Sequence, residues 1–253
     1  MNAWGAVAGA ATLGVVGTAV GRYLHGRWTI DRHVEEYATH WSNRDSRPPE
    51  GALHYVALGD SAAQGVGASA VDKGYVPLVA MRMAQATGRP VVITNLSVSG
   101  AVSDDVAQGQ LANFRSLQFA PDVVTLDIGA NDVLFQPHGV ESFGSSLEVI
   151  LDALPKGSFV ADVPWMVFPW LSAQSAILAA RARELVERHG HHLVPLYRAS
   201  RANSVFTYAR RTSRDLFHPN DAGYLQWADV FWEGIAASGV LEELQSSGAP
   251  SED

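Results

Sequence analysis

The sequence contains no cysteine in its 253 residues. Disulfide bonds, thiolate nucleophiles and cysteine metal ligands are therefore excluded, although this absence does not identify a cellular compartment. Basic side chains are also scarce, because 18 Lys and Arg stand against 26 Asp and Glu and give a formal net charge of -8. A nucleic-acid-binding protein needs a basic face, so the charge argues against nucleic acid as a partner. The 47% of hydrophobic residues is typical of a globular protein.

Several sequence signatures of nucleotide and metal sites are missing as well. Ser61 lies in a glycine-rich stretch, but the stretch has neither the GxGxxG pattern nor the lysine-bearing phosphate-binding loop. The GxSxG elbow of the α/β-hydrolases is also absent around Ser61. No HExxH spacing occurs, and the histidine cluster at 189–192 is typical of a polar helix end that enters a strand. These patterns therefore indicate neither a nucleotide site nor a metal site.

The N-terminal segment is apolar, and residues 3–20 carry no charged side chain. This length is just sufficient for a membrane span, so residues 1–28 are predicted to form an apolar helix that anchors the chain in a membrane. A secretory signal peptide is an alternative, since Ala19-Val20-Gly21 fits a small-x-small cleavage site, but no Lys or Arg precedes the apolar run. A buried or peripheral helix is the third interpretation.

The charges that flank this segment predict its orientation. Arg22, Arg27 and Arg32 follow the apolar run, whereas only the α-amino group precedes it. The positive-inside rule therefore favours a cytoplasmic location for the part of the chain after the apolar run, with membrane association through residues 3–20. Export is the alternative, because acidic residues are interspersed with these arginines.

Two further segments border the central part of the chain. Residues 29–50 are predicted to form an amphipathic helix and a linker, because apolar residues recur at helical spacing before Pro48-Pro49 excludes a continuing helix. Residues 51–240 then form one α/β domain, and residues 241–253 are predicted to be an acidic C-terminal tail.

Within the domain, short apolar runs alternate with longer helical patterns. Such alternation predicts βαβ units and a parallel sheet covered by helices on both faces. The predicted strands are 53–59, 90–98, 122–129, 158–164 and 191–197, and the predicted helices are 75–87, 103–116, 142–153, 172–189 and 221–237. In sheets of this kind the ligand site lies beyond the carboxyl ends of the strands.

Three residues of interest follow successive strand ends. Ser61 follows the first strand, Gly100 lies in the loop after the second, and Asn131 follows the third. Each has a plain structural interpretation, since glycine and asparagine are common in turns. A glycine also lets a backbone N–H approach a substrate, and an asparagine amide can donate to a developing oxyanion.

The segment RDLFHPND, residues 214–221, places Asp215 three residues before His218. In a helical turn or tight loop this spacing brings both side chains to one side, and a histidine with a carboxylate behind it is half of a nucleophilic site. Taken alone, the segment favours a helix N-terminus, with polar caps and a proline in the first turn.

Taken together, these blocks resemble the SGNH, or GDSL-like, hydrolase family. Four family positions match in order: Ser61 in GDS, Gly100, Asn131 in GAND, and His218 in DLFHP. The resemblance covers roughly residues 53–237 and not the N-terminal segment. Ala62 departs from the leucine that many members have in the GDSL block, which leaves the subfamily open.

The resemblance implies a three-layer α/β/α sandwich around a five-stranded parallel sheet of flavodoxin-like order, with no metal and no cofactor. It implies that Ser61 is the nucleophile, His218 the general base and Asp215 its orienting carboxylate. It also implies an oxyanion hole formed by the backbone N–H groups of Ser61 and Gly100 and by the side chain of Asn131.

The substrate class is inferred from the composition of two segments and not from the catalytic motifs. The segments 133–139 and 164–172 are rich in apolar and aromatic residues and should border Ser61, which favours a lipid-like or small acyl ester. The same residues can instead fill core beneath a loop. A carbohydrate O-acetylesterase is the closest alternative, and a noncatalytic binding protein on the same fold is a further one. The sequence gives no oligomeric state.

Overall fold

A computed structural model describes residues 29–42, 50–135 and 139–247. Its centre is a five-stranded parallel sheet with the strand order β2-β1-β3-β4-β5, which confirms the predicted α/β/α architecture. The register pairs Ala57 with Asn95 and Gly59 with Asp127, so the carboxyl ends of the first three strands lie at one edge. The strands are β1 (Leu53–Gly59), β2 (Val91–Asn95), β3 (Val123–Asp127), β4 (Phe159–Ala161) and β5 (His192–Val194).

Helices cover both faces of the sheet. In chain order they are α1 (29–42), α2 (Ser61–Gln64), α3 (Tyr75–Thr87), α4 (Ser103–Asp105), α5 (Leu111–Arg115), α6 (Ala130–Leu134), α7 (Val140–Ala153), α8 (Pro169–Arg188), α9 (Leu196–Arg201), α10 (Val205–Arg211), α11 (Asp221–Ala237) and α12 (Val240–Ser247). A π-helical turn, Val106–Gln110, joins α4 to α5.

The side chains of β1 alternate between two buried cores, as the period of two in a strand requires. Leu53, Tyr55 and Ala57 belong to the core that contains residues of α1, α3, α11 and α12. Val56 and Leu58 belong to the core on the opposite face, together with residues of α7 and α8. Because β1 is buried on both faces, its sequence is a continuous apolar run with little alternation.

The C-terminal segment differs from its prediction. Residues 241–253 were predicted as an acidic tail, but α12 runs from Val240 to Ser247, and Leu241 and Leu244 are buried in the core beside α3. Acidic composition indicated a solvated tail, whereas the two leucines, three residues apart, give the helix one apolar side. The α/β domain therefore extends beyond residue 240.

Helix α1 also packs against the domain. Tyr37 and Trp41 are buried in the same core as α3, in keeping with the predicted amphipathic helix. The Tyr37 hydroxyl donates to the carbonyl oxygen of Ala68 at 2.9 Å, and Trp41 Nε1 donates to that of Gln64 at 3.0 Å. Residues 29–42 thus belong structurally to the α/β domain.

The predicted membrane anchor in residues 1–28 lies outside the described residues. Within the described ranges, none of the helices combines the length and apolar character that crossing a bilayer requires.

Candidate active site

Ser61 is the first residue of α2, directly after β1. Gly59 ends the strand with φ +144°, and a Cβ at this position would lie 2.1 Å from the carbonyl oxygen of Asp127 on β3. Only glycine fits this close approach of two strands. Asp60 then caps α2, because its Oδ1 accepts from the backbone N–H of Ala62 at 2.9 Å. The turn therefore fixes Ser61 at the carboxyl edge of the sheet.

Asp215 and His218 lie in a tight loop between α10 and α11. The loop is closed by an antiparallel pairing of Thr212 with Pro219. Asp215 Oδ1 accepts from the backbone N–H groups of Phe217 and His218, both at 3.1 Å. These bonds bend the chain back on the carboxylate and explain the spacing of three residues. Leu216 adopts a left-handed conformation with φ 57° at the tip.

The three polar side chains form a continuous hydrogen-bonded series. Ser61 Oγ lies 2.9 Å from His218 Nε2, and His218 Nδ1 lies 2.6 Å from Asp215 Oδ2. Burial alone would raise the pKa of Asp215, but hydrogen bonds from His218, Ser213 and the Phe217 N–H, with the charge of His218, hold it below its ordinary value. Such a series can move a proton from a serine hydroxyl to an imidazole whose charge a carboxylate stabilises.

Asn131 is the second residue of α6, which follows β3, and Gly100 lies in the loop after β2. Gly100 has φ +83°, and space is open where its Cβ would be. The Asn131 amide donates to the carbonyl oxygen of Ala101 at 2.9 Å and, at the longer distance of 3.4 Å, to Asp60 Oδ2. Burial raises the pKa of Asp60 to about 6, against the lowering effects of the Ala62 N–H and the charge of His218.

Gln110 holds the nucleophile turn from the other side, and sequence reasoning missed it. Its Oε1 accepts from the backbone N–H of Gly59 at 2.9 Å, and its Nε2 donates to the carbonyl oxygen of Gly59 at 2.7 Å. Gln110 ends the π-helical turn between α4 and α5, a local distortion that is frequent near functional sites. No spacing in the sequence marks this pairing, since it depends on how the π-helical turn lies against β1.

Gly67 connects the Ser61 segment to the loop of His218. A Cβ at Gly67, where φ is +102°, would lie 2.4 Å from the carbonyl oxygen of Pro219 and 2.8 Å from the Cβ of His218. The absence of a side chain at this position therefore lets the two halves of the site approach each other.

A cavity of about 50 Å³ opens beside Ser61 and His218. Apolar groups, among them Trp165, Met166 and Phe217, form one part of its lining. The segment 164–172 was predicted to border Ser61, and only its first part does, since Phe168 and Trp170 lie exposed and stacked on each other. In the described part of the chain, residues 133–135 and 139 do not contribute to the lining.

Three polar side chains that sequence reasoning missed also line the cavity. Asn203 lies between α9 and α10, Arg211 is the last residue of α10, and Gln226 belongs to α11. These residues match no motif, and the packing of α10 against α11 brings them together only in the folded chain.

Residues 57–225 match the model of the GDSL-like Lipase/Acylhydrolase family. The GDSL-like esterase Rv1075c of Mycobacterium tuberculosis (strain ATCC 25618 / H37Rv) is 24% identical over 202 residues, which are 71% of this chain and 60% of that protein. This chain therefore spans less than two thirds of the length of that relative.

Solved structures share the fold. The lipase/acylhydrolase from Enterococcus faecalis superimposes with a TM-score of 0.59 at 20% identity, over 79% of this chain and 100% of that chain. Axe2, an acetylxylan esterase from Geobacillus stearothermophilus, gives a TM-score of 0.57 at 19% identity, over 74% of this chain and 96% of that chain. At these identities the likeness establishes the architecture.

Proposed function

Since this chain belongs to the GDSL-like lipase/acylhydrolase family, we propose that it is a serine-dependent carboxylester hydrolase that works through an acyl-enzyme intermediate. The observation that carries the proposal is the hydrogen-bonded series from Ser61 Oγ through the His218 ring to Asp215. A serine hydroxyl is unreactive without a base, and this series provides a base in contact with it.

In the proposed reaction, Ser61 Oγ attacks the ester carbonyl while His218 Nε2 accepts the hydroxyl proton. The imidazolium then protonates the leaving alkoxide, so that an alcohol departs and an acyl-serine remains. Water enters, gives a proton to Nε2 and attacks the acyl carbon, which releases the acid and restores the Ser61 hydroxyl. Asp215 keeps the Nδ1 proton in place and stabilises the imidazolium.

The oxyanion would be held by the backbone N–H groups of Ser61 and Gly100 and by the Asn131 amide. The open space at Gly100 supports this assignment, because a backbone N–H there can be approached closely. The contact of Asn131 with Asp60, at 3.4 Å, is long for a hydrogen bond, so the amide can exchange it for a stronger bond to a developing negative charge.

Replacing Asn131 with alanine is expected to lower kcat by about 10²-fold or more with a smaller change in KM, because the amide acts chiefly in the transition state. Steady-state kinetics on an acetyl ester, together with the melting temperature, checks this. If Asn131 serves only the turn, the melting temperature falls while kcat of the folded fraction stays near that of the wild type.

A second prediction concerns Gly67. Gly67→Ala is expected to reduce the free energy of unfolding by about 2–3 kcal/mol and kcat by about 10²-fold, because the new Cβ displaces Pro219 and His218. Gly88→Ala is the matched control, since Gly88 also has a positive φ, of +69°, but nothing lies within 4 Å of its Cβ position. An equal loss of kcat in both variants would contradict the contact with His218.

The cavity volume favours a short acyl or alcohol group. A water molecule needs roughly 10–15 Å³ of such space, so about 50 Å³ accommodates a group of only a few heavy atoms. A small acyl ester is therefore the first substrate class. The polar lining of Asn203 and Gln226 favours a carbohydrate O-acetyl ester as the second candidate, which is the activity named for the structural neighbour Axe2. A lipid-like ester would have to extend its chain beyond the cavity.

Active-site labelling tests the proposal directly. A fluorophosphonate probe should label the full-length wild-type protein and leave Ser61→Ala unlabelled, because only an activated serine displaces fluoride from phosphorus. Equal labelling of both proteins would overturn the assignment of Ser61. Hydrolysis rates for p-nitrophenyl esters of increasing chain length, and release of acetate from acetylated xylo-oligosaccharides, then rank the substrate classes.

A further inference from the structure

Arg211 places a positive charge beside the proposed catalytic series. It is the last residue of α10 and lines the same cavity as Ser61 and His218. The chain as a whole is acidic, with a formal net charge of -8. The positive charge of Arg211 in the cavity is therefore opposite in sign to the net charge of the protein.

Neutral groups hold this guanidinium in place. Arg211 Nη1 donates to Asn203 Oδ1 at 2.8 Å, and Asn203 Nδ2 donates to Gln226 Oε1 at 3.1 Å. Gln226 Nε2 in turn donates to the carbonyl oxygen of Ala199 at 3.0 Å. A guanidinium has five N–H donors, and among the described residues Arg211 uses one of them. The arginine is therefore oriented while its other donors are available to a ligand.

No carboxylate in the described ranges lies within ion-pair distance of Arg211. Arg82 and Arg183, by contrast, pair with Asp229 at 2.6 Å and with Asp162 at 3.0 Å. The acidic residue nearest along the chain, Asp215, is occupied by His218, Ser213 and two backbone N–H groups. Half-buried charges are normally paired, so the missing counter-charge fits a group that arrives with the substrate.

We infer that Arg211 selects esters that carry an anionic group, a carboxylate or a phosphate, within a few atoms of the scissile bond. The inference rests on the proposed function and specifies its substrate class. Trp165, Met166 and Phe217 would contact the short carbon portion, while the guanidinium binds the anion through paired N–H···O bonds. Arg211 is thus a specificity-determining residue and does not contact the atoms that react.

Matched pairs of small esters test this on the full-length protein. Monoethyl glutarate carries the anion on the acyl side and acetoxyacetate carries it on the alcohol side. Ethyl glutaramate and acetoxyacetamide are their neutral counterparts of the same shape. The wild type should show a kcat/KM about tenfold to hundredfold higher for the anionic member of at least one pair, since a hydrogen-bonded charge pair contributes this much. The preferred pair identifies the side of the ester on which the anion lies.

The ratio of kcat/KM between the anionic and the neutral member of the preferred pair should fall to about one in Arg211→Gln and be partly retained in Arg211→Lys. Arg210→Gln is the matched control, because it removes the same charge from the adjacent, exposed position of α10. Equal losses for anionic and neutral esters, or an equal effect of Arg210→Gln, would overturn the inference and leave Arg211 with a structural role.

Binding separates this inference from the proposed function. In the Ser61→Ala background, calorimetric titration should give a tighter Kd for the anionic ester than for its neutral counterpart, and Arg211→Gln should remove the difference. A wild type that hydrolyses no ester but shows this binding preference would contradict the proposed function alone. Equal Kd values for both members of both pairs would contradict the role of Arg211.

Discussion

Replacing Ser61 with alanine is expected to lower kcat for ester hydrolysis by about 10⁴- to 10⁶-fold, because the substitution removes the attacking oxygen and leaves the rest of the site in place. His218→Ala should be comparably severe, since Ser61 Oγ is bonded to no other base in the described part of the chain. Steady-state kcat values for the two single variants and the double variant measure the effect.

The double variant distinguishes a cooperating pair from two independent contributions. If Ser61 and His218 act as one unit, the double variant is little slower than either single variant. Ser69→Ala is the control. Ser69 lies in the segment that follows α2, and its hydroxyl donates to Asp221 and not to His218. Multiplicative losses in the double variant, or a kcat of Ser61→Ala within tenfold of the wild type, would contradict the proposed mechanism.

Replacing Asp215 with asparagine is expected to lower kcat by about 10³- to 10⁴-fold, because an amide cannot stabilise the imidazolium and can hold the ring in the wrong tautomer. Asparagine keeps Oδ1, which accepts from the N–H groups of Phe217 and His218, so the loop should fold as before. The comparison of kcat with the circular dichroism spectrum and melting temperature checks both statements. Asp221→Asn is the control for removing a nearby carboxylate. A melting temperature that falls as far as activity would indicate a loop role for Asp215.

Acid unfolding of the same variant follows from the direction of the pKa shift. The pKa of Asp215 is lower in the folded chain than its ordinary value, so the folded state favours the carboxylate over its protonated form. The stabilisation of the folded state by the Asp215 carboxylate is fully present above the unfolded-state pKa, which is about 3.9. It is lost as the pH falls through the lower folded-state pKa. The stability difference between the wild type and Asp215→Asn should therefore narrow in acid.

The distribution of apolar residues was sufficient to predict the elements that surround Ser61. The bounds of β1, α3 and α11 agree with the predictions, because their apolar residues face cores that the pattern alone defines. Strands β4 and β5 are shorter than predicted. The backbone N–H of Asp162, directly after β4, still donates to the carbonyl oxygen of Val194, while its carboxylate accepts from the backbone N–H of Tyr197 and from the Arg183 side chain. Apolar composition cannot show such polar contacts at the end of a strand.

The candidate site likewise contains residues that the local sequence predicts and residues that only the folded structure shows. Ser61, Asp215 and His218 lie in short motifs, GDS and DLFHP, that can be identified in the sequence. The structure brings their side chains together. Gln110 and Arg211 depend instead on how helices lie against β1 and α11. Gln110 bonds to Gly59, 51 residues away, and Arg211 meets Ser61 only in the lining of the cavity, so nothing in the local sequence specifies either arrangement.

The contacts of helix α1 make the cooperative folding unit larger than the region of family resemblance. The family match begins at residue 57, whereas α1 ends at residue 42. A protein that begins at residue 50 would retain every proposed catalytic residue but lose Tyr37 and Trp41, which bond to the carbonyl groups of Ala68 and Gln64. Local opening of the loop after Ser61 would then require less free energy, because fewer contacts oppose it. The order of the nucleophile segment is thus supported from a part of the chain in which no catalytic motif lies.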